Sequence, residues 1–142
     1  MYYRLLLGSK SPRRRELLAG LNFDFTPVDI ETDECYPSYL SGRDIPLYLA
    51  RAKARAYCDK LQDGDVLITS DTIVWCNNQV LGKPVDYADA VQMLQMLSGS
   101  THEVFTGVCI TRALIDERTG EIETEQTHAF VKGRLMTVKF PF

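Results

Sequence analysis

Apolar positions in the first two thirds of the chain alternate between strand-like and helix-like spacing. Arg4 to Leu7 is a short apolar run that predicts a buried strand. Gly8-Ser9-Lys10-Ser11 reads as a turn, and Pro12 suits the first position of a helix, where its missing N–H is no loss. That helix carries Leu17, Leu18 and Leu21 on one face and is expected to end near Asn22. Phe25 to Ile30 predicts a second strand, followed by an acidic loop from Glu31 to Glu34. Asp44 is the expected N-cap of a helix from about Ile45 to Leu61, with Ile45, Leu49, Ala52 and Ala56 at helical spacing. Val66 to Thr69 and Ile73 to Cys76 predict two extended runs from their β-branched content, and Asn77-Asn78 a turn into Gln79 to Leu81. Asp86 is expected to cap a third helix, in which Ala90, Met93, Leu94 and Leu97 recur at i, i+3, i+4 and i+7, and Ser98-Gly99 stops it. Val104 to Thr111 predicts a strand, Asp116 to Gly120 a hairpin turn and Ile122 to Val131 the returning strand. Lys132-Gly133 then predicts a turn into a last strand, Leu135 to Phe140. Helices and strands alternate early and strands alone fill the end, so the fold class expected is α/β, a mixed β-sheet flanked by helices.

Composition narrows the function classes. The 142 residues fit one domain, residues 1–142, and no repeat or low-complexity linker divides them. With 45% hydrophobic and 25% charged residues, the chain is too apolar for disorder. Sixteen basic against 19 acidic residues leave a formal charge of −3, which argues against a surface built for nucleic acid or anionic lipid. A local basic pocket stays open. No apolar run approaches the roughly 20 residues of a membrane span, and the apolar part of the N-terminus is too short for a signal peptide. A cytoplasmic protein with neither nucleic-acid nor membrane partners is expected. Cys35, Cys58, Cys76 and Cys109 form no C-x-x-C pair and read as free thiols, mostly buried, rather than as a disulfide framework or zinc site.

Four clusters carry candidate chemistry. In Gly8-Ser9-Lys10-Ser11-Pro12-Arg13-Arg14-Arg15, a strand, a small-residue turn and a helix start form a natural anion cradle. Three arginines in a first helical turn oppose the macrodipole, at a few tenths to about 1 kcal/mol each. A phosphate chain held by bidentate bonds would offset that cost; a solvated basic face with a Glu16 salt bridge is the alternative. The G-x-x-x-x-G-K-[ST] loop is absent. Lys53, four residues after Leu49, lies close to the buried face of its helix, and a snorkelling role accounts for it when taken alone. Asp71 interrupts an apolar strand pair, either capping a turn at a strand end or held beside a metal or a water. Asp33 and Glu34 could join it as oxygen ligands of a hard divalent cation, although alone they read as an acidic surface loop. Lys83, between Gly82 and Pro84, is displayed on a defined turn and either touches a phosphate or faces water. His102 and His128 share no ligand spacing and read as structural or surface residues. No G-x-S-x-G and no convincing serine or cysteine nucleophile is present.

In this order the clusters resemble the Maf family of nucleotide pyrophosphatases. The matches are Leu7-Gly-Ser9-x-Ser11-Pro12-Arg13-Arg14-x-Glu16, Asp33-Glu34, Ala52-Lys53-Ala54, Ser70-Asp71-Thr72-x-Val74, Leu81-Gly82-Lys83-Pro84 and Leu97-Ser98-Gly99-x-x-His102-x-Val104-x-Thr106-Gly107-Val108. Each is weak alone; six in register over residues 5 to 110 are specific. The resemblance implies a fold like that of the inosine triphosphate pyrophosphatases, often a homodimer. It implies hydrolysis of a nucleoside triphosphate to the monophosphate and pyrophosphate with Mg²⁺ or Mn²⁺. By the same resemblance, Asp71 matches the proton acceptor and a metal-associated carboxylate, and Glu34 a carboxylate at the metal or substrate. Ser9, Arg13, Arg14, Lys53 and Lys83 match the substrate pocket. Arg13 and Thr72 match positions linked to a choice of dTTP and UTP. The family is also associated with septum formation and with the removal of modified nucleotides. Its members continue with a segment containing Asp-Lys-Ala-Gly-Ala-Tyr-Gly-Ile-Gln, and nothing like it follows Phe140. The expectation is a Maf-like domain shortened at its C-terminal end. The alternative to the enzyme is a catalytically impaired, nucleotide-binding module.

Overall fold

Buried and half-buried positions, broken only by the exposed Thr72, build a single twelve-residue strand from Asp65 to Cys76 around which the molecule is organised. In the computed structural model, residues 3–136 are described. In chain order the elements are β1 (Arg4–Gly8), α1 (Pro12–Ala19), β2 (Thr26–Pro27), α2 (Asp44–Tyr57) with a 3-10 turn (Cys58–Lys60), β3 (Asp65–Cys76), β4 (Gln79–Leu81), α3 (Tyr87–Leu97), β5 (Thr101–Ile115) and β6 (Ile122–Met136). The sheet runs β2-β1-β3-β5-β6, with β4 on the far end of β3. β1 is parallel to β2 and β3, whereas β3, β5 and β6 are antiparallel. The mixed sheet with helices agrees with the expected class.

One face of the β3–β5 pair is covered by α2. Ala50 and Ala54 of α2 cluster with Leu6, Leu61, Leu67, Cys109 and Ala113, and Ile45 and Leu49 pack with Ile73 and Phe105. Fully burying a leucine or isoleucine stabilises by about 1.5–3 kcal/mol, so these clusters anchor the fold. The helix lies close because Gly107 has no side chain. A Cβ there would stand 2.6 Å from the backbone of Pro46 and Leu47. The other end of the sheet is pinned by Arg4, whose Nε and Nη2 donate to Asp65 Oδ1 and Oδ2 at 2.9 and 2.8 Å. Asp65 is 2% exposed and also accepts from the Gln62 N–H, so this buried carboxylate is fully partnered.

Several local expectations are corrected. The two extended runs on either side of Asp71 are one strand, because Ser70, Asp71 and Thr72 stay in register with Val108, Gly107 and Thr106. The expected strand from Phe25 to Ile30 shrinks to Thr26–Pro27, and Pro27 has no N–H to continue a ladder. Asp44 is the first residue of α2 rather than its cap, and Arg43 in the cap position makes no side-chain cap bond. The buried face of α2 is Ile45, Pro46, Leu49, Ala50 and Ala54; Ala56 is exposed. α1 ends at Ala19 and leaves Leu17 and Leu21 exposed. β6 runs through Lys132-Gly133 without a turn, and residues 137–140 of the expected last strand lie outside the described residues. The turns are as read: Asn77 and Asn78 both have positive φ, as a tight hairpin requires, and Asp86 accepts from the Asp89 N–H at 2.8 Å. All four cysteines are free; Cys76 and Cys109 are buried and Cys35 is exposed. Among the described residues no helix is long and apolar enough to cross a membrane.

Candidate functional site

β1 stops at Gly8, opposite Thr69, while β3 runs on beyond its neighbour. The chain turns away through Ser9, Lys10 and Ser11 into α1, which opens a cleft of about 660 Å³ at the carboxyl end of β1. Local bonds fix this turn. Ser9 is buried and its Oγ accepts from the Ser11 N–H at 3.2 Å; Ser11 caps α1 by accepting from the Arg14 N–H at 3.3 Å. Pro12 takes the first helical position. The Gly8–Ser11 turn and Arg14 border the cleft, whereas the Arg14 and Arg15 N–H groups of the helix start are taken by Ser11 Oγ and the Ser11 carbonyl.

The three arginines part ways. Arg14 lines the cleft and is held by β3, with Nη1 donating to the Ser70 carbonyl at 3.1 Å and Nη2 to Thr72 Oγ1 at 2.9 Å. Arg15 turns back and donates from Nε to the Ser9 carbonyl at 3.0 Å, clamping the turn. Arg13 is not among the residues lining the cleft. It is exposed and pairs at 3.7 Å with Glu16, the arrangement foreseen as the alternative for this basic stretch. Thr72 is likewise outside the lining and meets the site through Arg14.

Lys53 enters from α2. Its Nζ donates at 3.2 Å to Asp71 Oδ1 and at 3.2 Å to the same Ser70 carbonyl that Arg14 uses. Successive strand residues face opposite sides, so Lys53 with Asp71 and Arg14 with Thr72 flank Ser70 from two faces of the sheet. The side chains of Lys53 and Asp71 are 14% and 16% exposed, which makes this the least solvated ion pair at the cleft. Burial pushes the Asp71 carboxyl above its ordinary value. Lys53 and Arg14 oppose that shift, Glu34 adds to it, and the net direction is upward. Glu34 lines the cleft with φ of 55°, a strained backbone for a side chain other than glycine. Asp33 does not line it; its Oδ1 accepts from the Cys35 N–H at 3.1 Å and folds the loop. Lys83 completes the wall from the turn after β4.

Of the residues expected at the site, the structure gathers Ser9, Arg14, Glu34, Lys53, Asp71 and Lys83 around one cavity. Lys10 and Glu31 also line it, paired at 3.0 Å across its mouth. The sequence assigns neither a role: Lys10 lies in the Gly8–Ser11 turn, and only the fold brings it to Glu31. Thr106 was part of a motif without an assigned task. Its hydroxyl lies 2.9 Å from Thr72 Oγ1, a contact set by the β3–β5 register. Among the described residues, four cations and three carboxylates face the cleft. Such a set can hold a polyanion by charge-assisted bonds, and Glu34 with Asp71 supplies the hard oxygen donors that a divalent cation takes.

Fold and cleft together define an α/β protein whose cleft sets cations beside a half-buried carboxylate of raised proton affinity. A family model described as "Maf-like protein" matches residues 4–139, and the chain belongs to that family. It is 51% identical over 110 residues to a dTTP/UTP pyrophosphatase of Bacteroides thetaiotaomicron, covering 77% of this chain and 57% of that protein. A dTTP/UTP pyrophosphatase of Phocaeicola vulgatus is 44% identical over 128 residues, covering 89% and 66%. The chain thus spans a little over half the length of the first of these relatives. A solved nucleoside-triphosphatase / dITP/XTP pyrophosphatase of Mycobacterium abscessus aligns with a TM-score of 0.45 at 17% identity, covering 92% of this chain and 70% of that one.

Proposed function

We propose that the cleft binds a pyrimidine nucleoside triphosphate, dTTP or UTP, and hydrolyses it to the monophosphate and pyrophosphate. The observation that carries this reading is the convergence of Arg14 and Lys53 on the Ser70 carbonyl, which sets two cations beside the half-buried Asp71. The names of the relatives support the substrate class. In this reading the triphosphate lies across the start of α1, with Ser9, Arg14, Lys53 and Lys83 meeting its oxygens. The cations offset the negative charge that builds on the phosphoryl oxygens as water attacks. Asp71 is the proton acceptor. Its raised proton affinity makes it a better proton acceptor than an exposed aspartate, and Lys53 opposes that rise. Water adds to the α-phosphorus, the bond from that phosphorus to its bridging oxygen breaks, and pyrophosphate departs with the electron pair. Glu34 and Asp71 are the oxygen donors that would hold Mg²⁺ or Mn²⁺, and the ion would supply charge neutralisation on the phosphates.

The test is turnover of dTTP and UTP with Mg²⁺ by the chain, read as monophosphate and pyrophosphate in equal amounts. Asp71→Asn is expected to lower kcat by about 100-fold or more, in the range of a positioned proton acceptor, with nucleotide still bound. Tight binding of dTTP by calorimetry without hydrolysis would reject the enzyme and leave a nucleotide-binding module.

A further inference from the structure

We infer that Thr106 is a positioning residue for Arg14, acting through the hydroxyl of Thr72; the inference rests on reading Arg14 as a phosphate-facing group. Thr72 and Thr106 are Cα partners on β3 and β5, so their side chains stand on the same face of the sheet. Their hydroxyl oxygens are 2.9 Å apart. Arg14 Nη2 donates to Thr72 Oγ1 at 2.9 Å, which makes that oxygen an acceptor and leaves the Thr72 hydroxyl proton to point elsewhere. Thr106 Oγ1 is in reach either to accept that proton or to donate to the second lone pair of Thr72 Oγ1. A relay results, running from guanidinium to Thr72 to Thr106, in which Thr106 fixes the Thr72 rotor with a lone pair turned toward Arg14.

The relay has a consequence for the cleft. Arg14 sits on α1, an eight-residue helix with no buried residue, so the helix itself holds the guanidinium weakly. Two anchors on β3 hold it, the Ser70 carbonyl and Thr72. Of these only the hydroxyl can rotate away. With Thr106 in place both anchors are fixed, and the guanidinium plane keeps one orientation before any ligand arrives. Thr106 is not among the residues lining the cleft, so its effect reaches the reaction only through Arg14.

The test compares Thr106→Val and Thr106→Ser in the full chain. Valine keeps the β-branched shape and the strand, and the unfolding midpoint checks that the fold is intact. Two readouts are taken. The first is the side-chain nitrogen spectrum of ¹⁵N-arginine-labelled protein, with Arg14 assigned by its loss in Arg14→Lys. Hindered, resolved Nη signals are expected in wild type and Thr106→Ser, and averaged signals in Thr106→Val. The second is dTTP turnover, where Thr106→Val is expected to raise KM about three- to tenfold, the range one net hydrogen bond converts to, with kcat within about twofold. Wild-type Nη signals in Thr106→Val overturn the inference. If the wild-type chain does not turn over dTTP, the proposed function fails, and the arginine spectrum still decides the role of Thr106.

Discussion

Burial raises the proton affinity of Asp71, and Lys53 and Arg14 pull it part of the way back. The sign of each pH effect follows. Asp71 must be ionised to accept a proton, so turnover falls as pH drops through its raised pKa. The acid limb of kcat/KM is expected above the ordinary value of 3.8. Lys53→Met removes the largest opposing charge and should move that limb further up while lowering kcat/KM; Lys53→Arg should restore part of the shift. Stability runs the other way. A carboxyl whose folded pKa is raised favours the fold below its unfolded pKa and loses that contribution as pH rises through the folded value. Asp71→Asn, which lowers kcat by about 100-fold or more, is therefore expected to raise the urea midpoint at neutral pH. A fall in that midpoint, or an acid limb unmoved in Lys53→Met, would contradict the electrostatic account of the pair.

Elements are legible in sequence where a local cap or turn accompanies the periodicity, and illegible where tertiary contact decides. Asp86, Ser98-Gly99 and Asn77-Asn78 marked α3 and the β3–β4 turn because their physics is local. The spacing of Lys53 from Leu49 placed it near the buried face of α2, and the acid waiting there is Asp71. Asp71 itself hid β3: a carboxylate in an apolar run reads as a break, yet its ion pair with Lys53 lets the strand continue. Arg14, Arg13 and Arg15 look alike in sequence and separate only through Ser70, Glu16 and the Ser9 carbonyl, partners that the fold supplies. Gly107 has no reason in the sequence alone; in the fold the reason is the approach of α2. A methyl group there meets the Pro46–Leu47 backbone at 2.6 Å, which a flexible side chain cannot relieve. Gly107→Ala should destabilise by about 1–3 kcal/mol in urea unfolding. It should also raise KM, because α2 carries Lys53. Gly133→Ala, where a Cβ meets nothing within 4 Å, is the control and should shift the midpoint far less.

Across the molecule, order is unevenly distributed, and the site straddles the boundary. α2, β3 and β5 share the two apolar clusters, whereas α1 and α3 contain no buried residue. Val74, Leu81, Pro84, Met93, Leu94 and Leu97 line an apolar trough of about 330 Å³ rather than a filled core. Elements with few buried contacts open locally at low cost, while strands in the core open only with the whole fold. Hydrogen exchange should therefore be slowest in β3, β5 and α2 and fast in α1 and α3. Leu67→Ala, at a fully buried site, should cost about 2–5 kcal/mol. Leu94→Ser, 42% exposed, should cost less than about 0.5 kcal/mol. Asp71 and Lys53 belong to the rigid part; Arg14, the Ser9–Ser11 turn and Glu34 belong to elements that must be held by contacts across the cleft. A ligand spanning both parts adds its binding free energy to the fold and chiefly slows opening of the loosely held side. Saturating dTTP with Mg²⁺ is thus expected to protect the amides of α1 and of residues 31–34, leaving α3 unchanged. Protection confined to α3, or α1 exchange already as slow as β5 in the free protein, would mean that the cleft is assembled otherwise than through Arg14 and the end of β1.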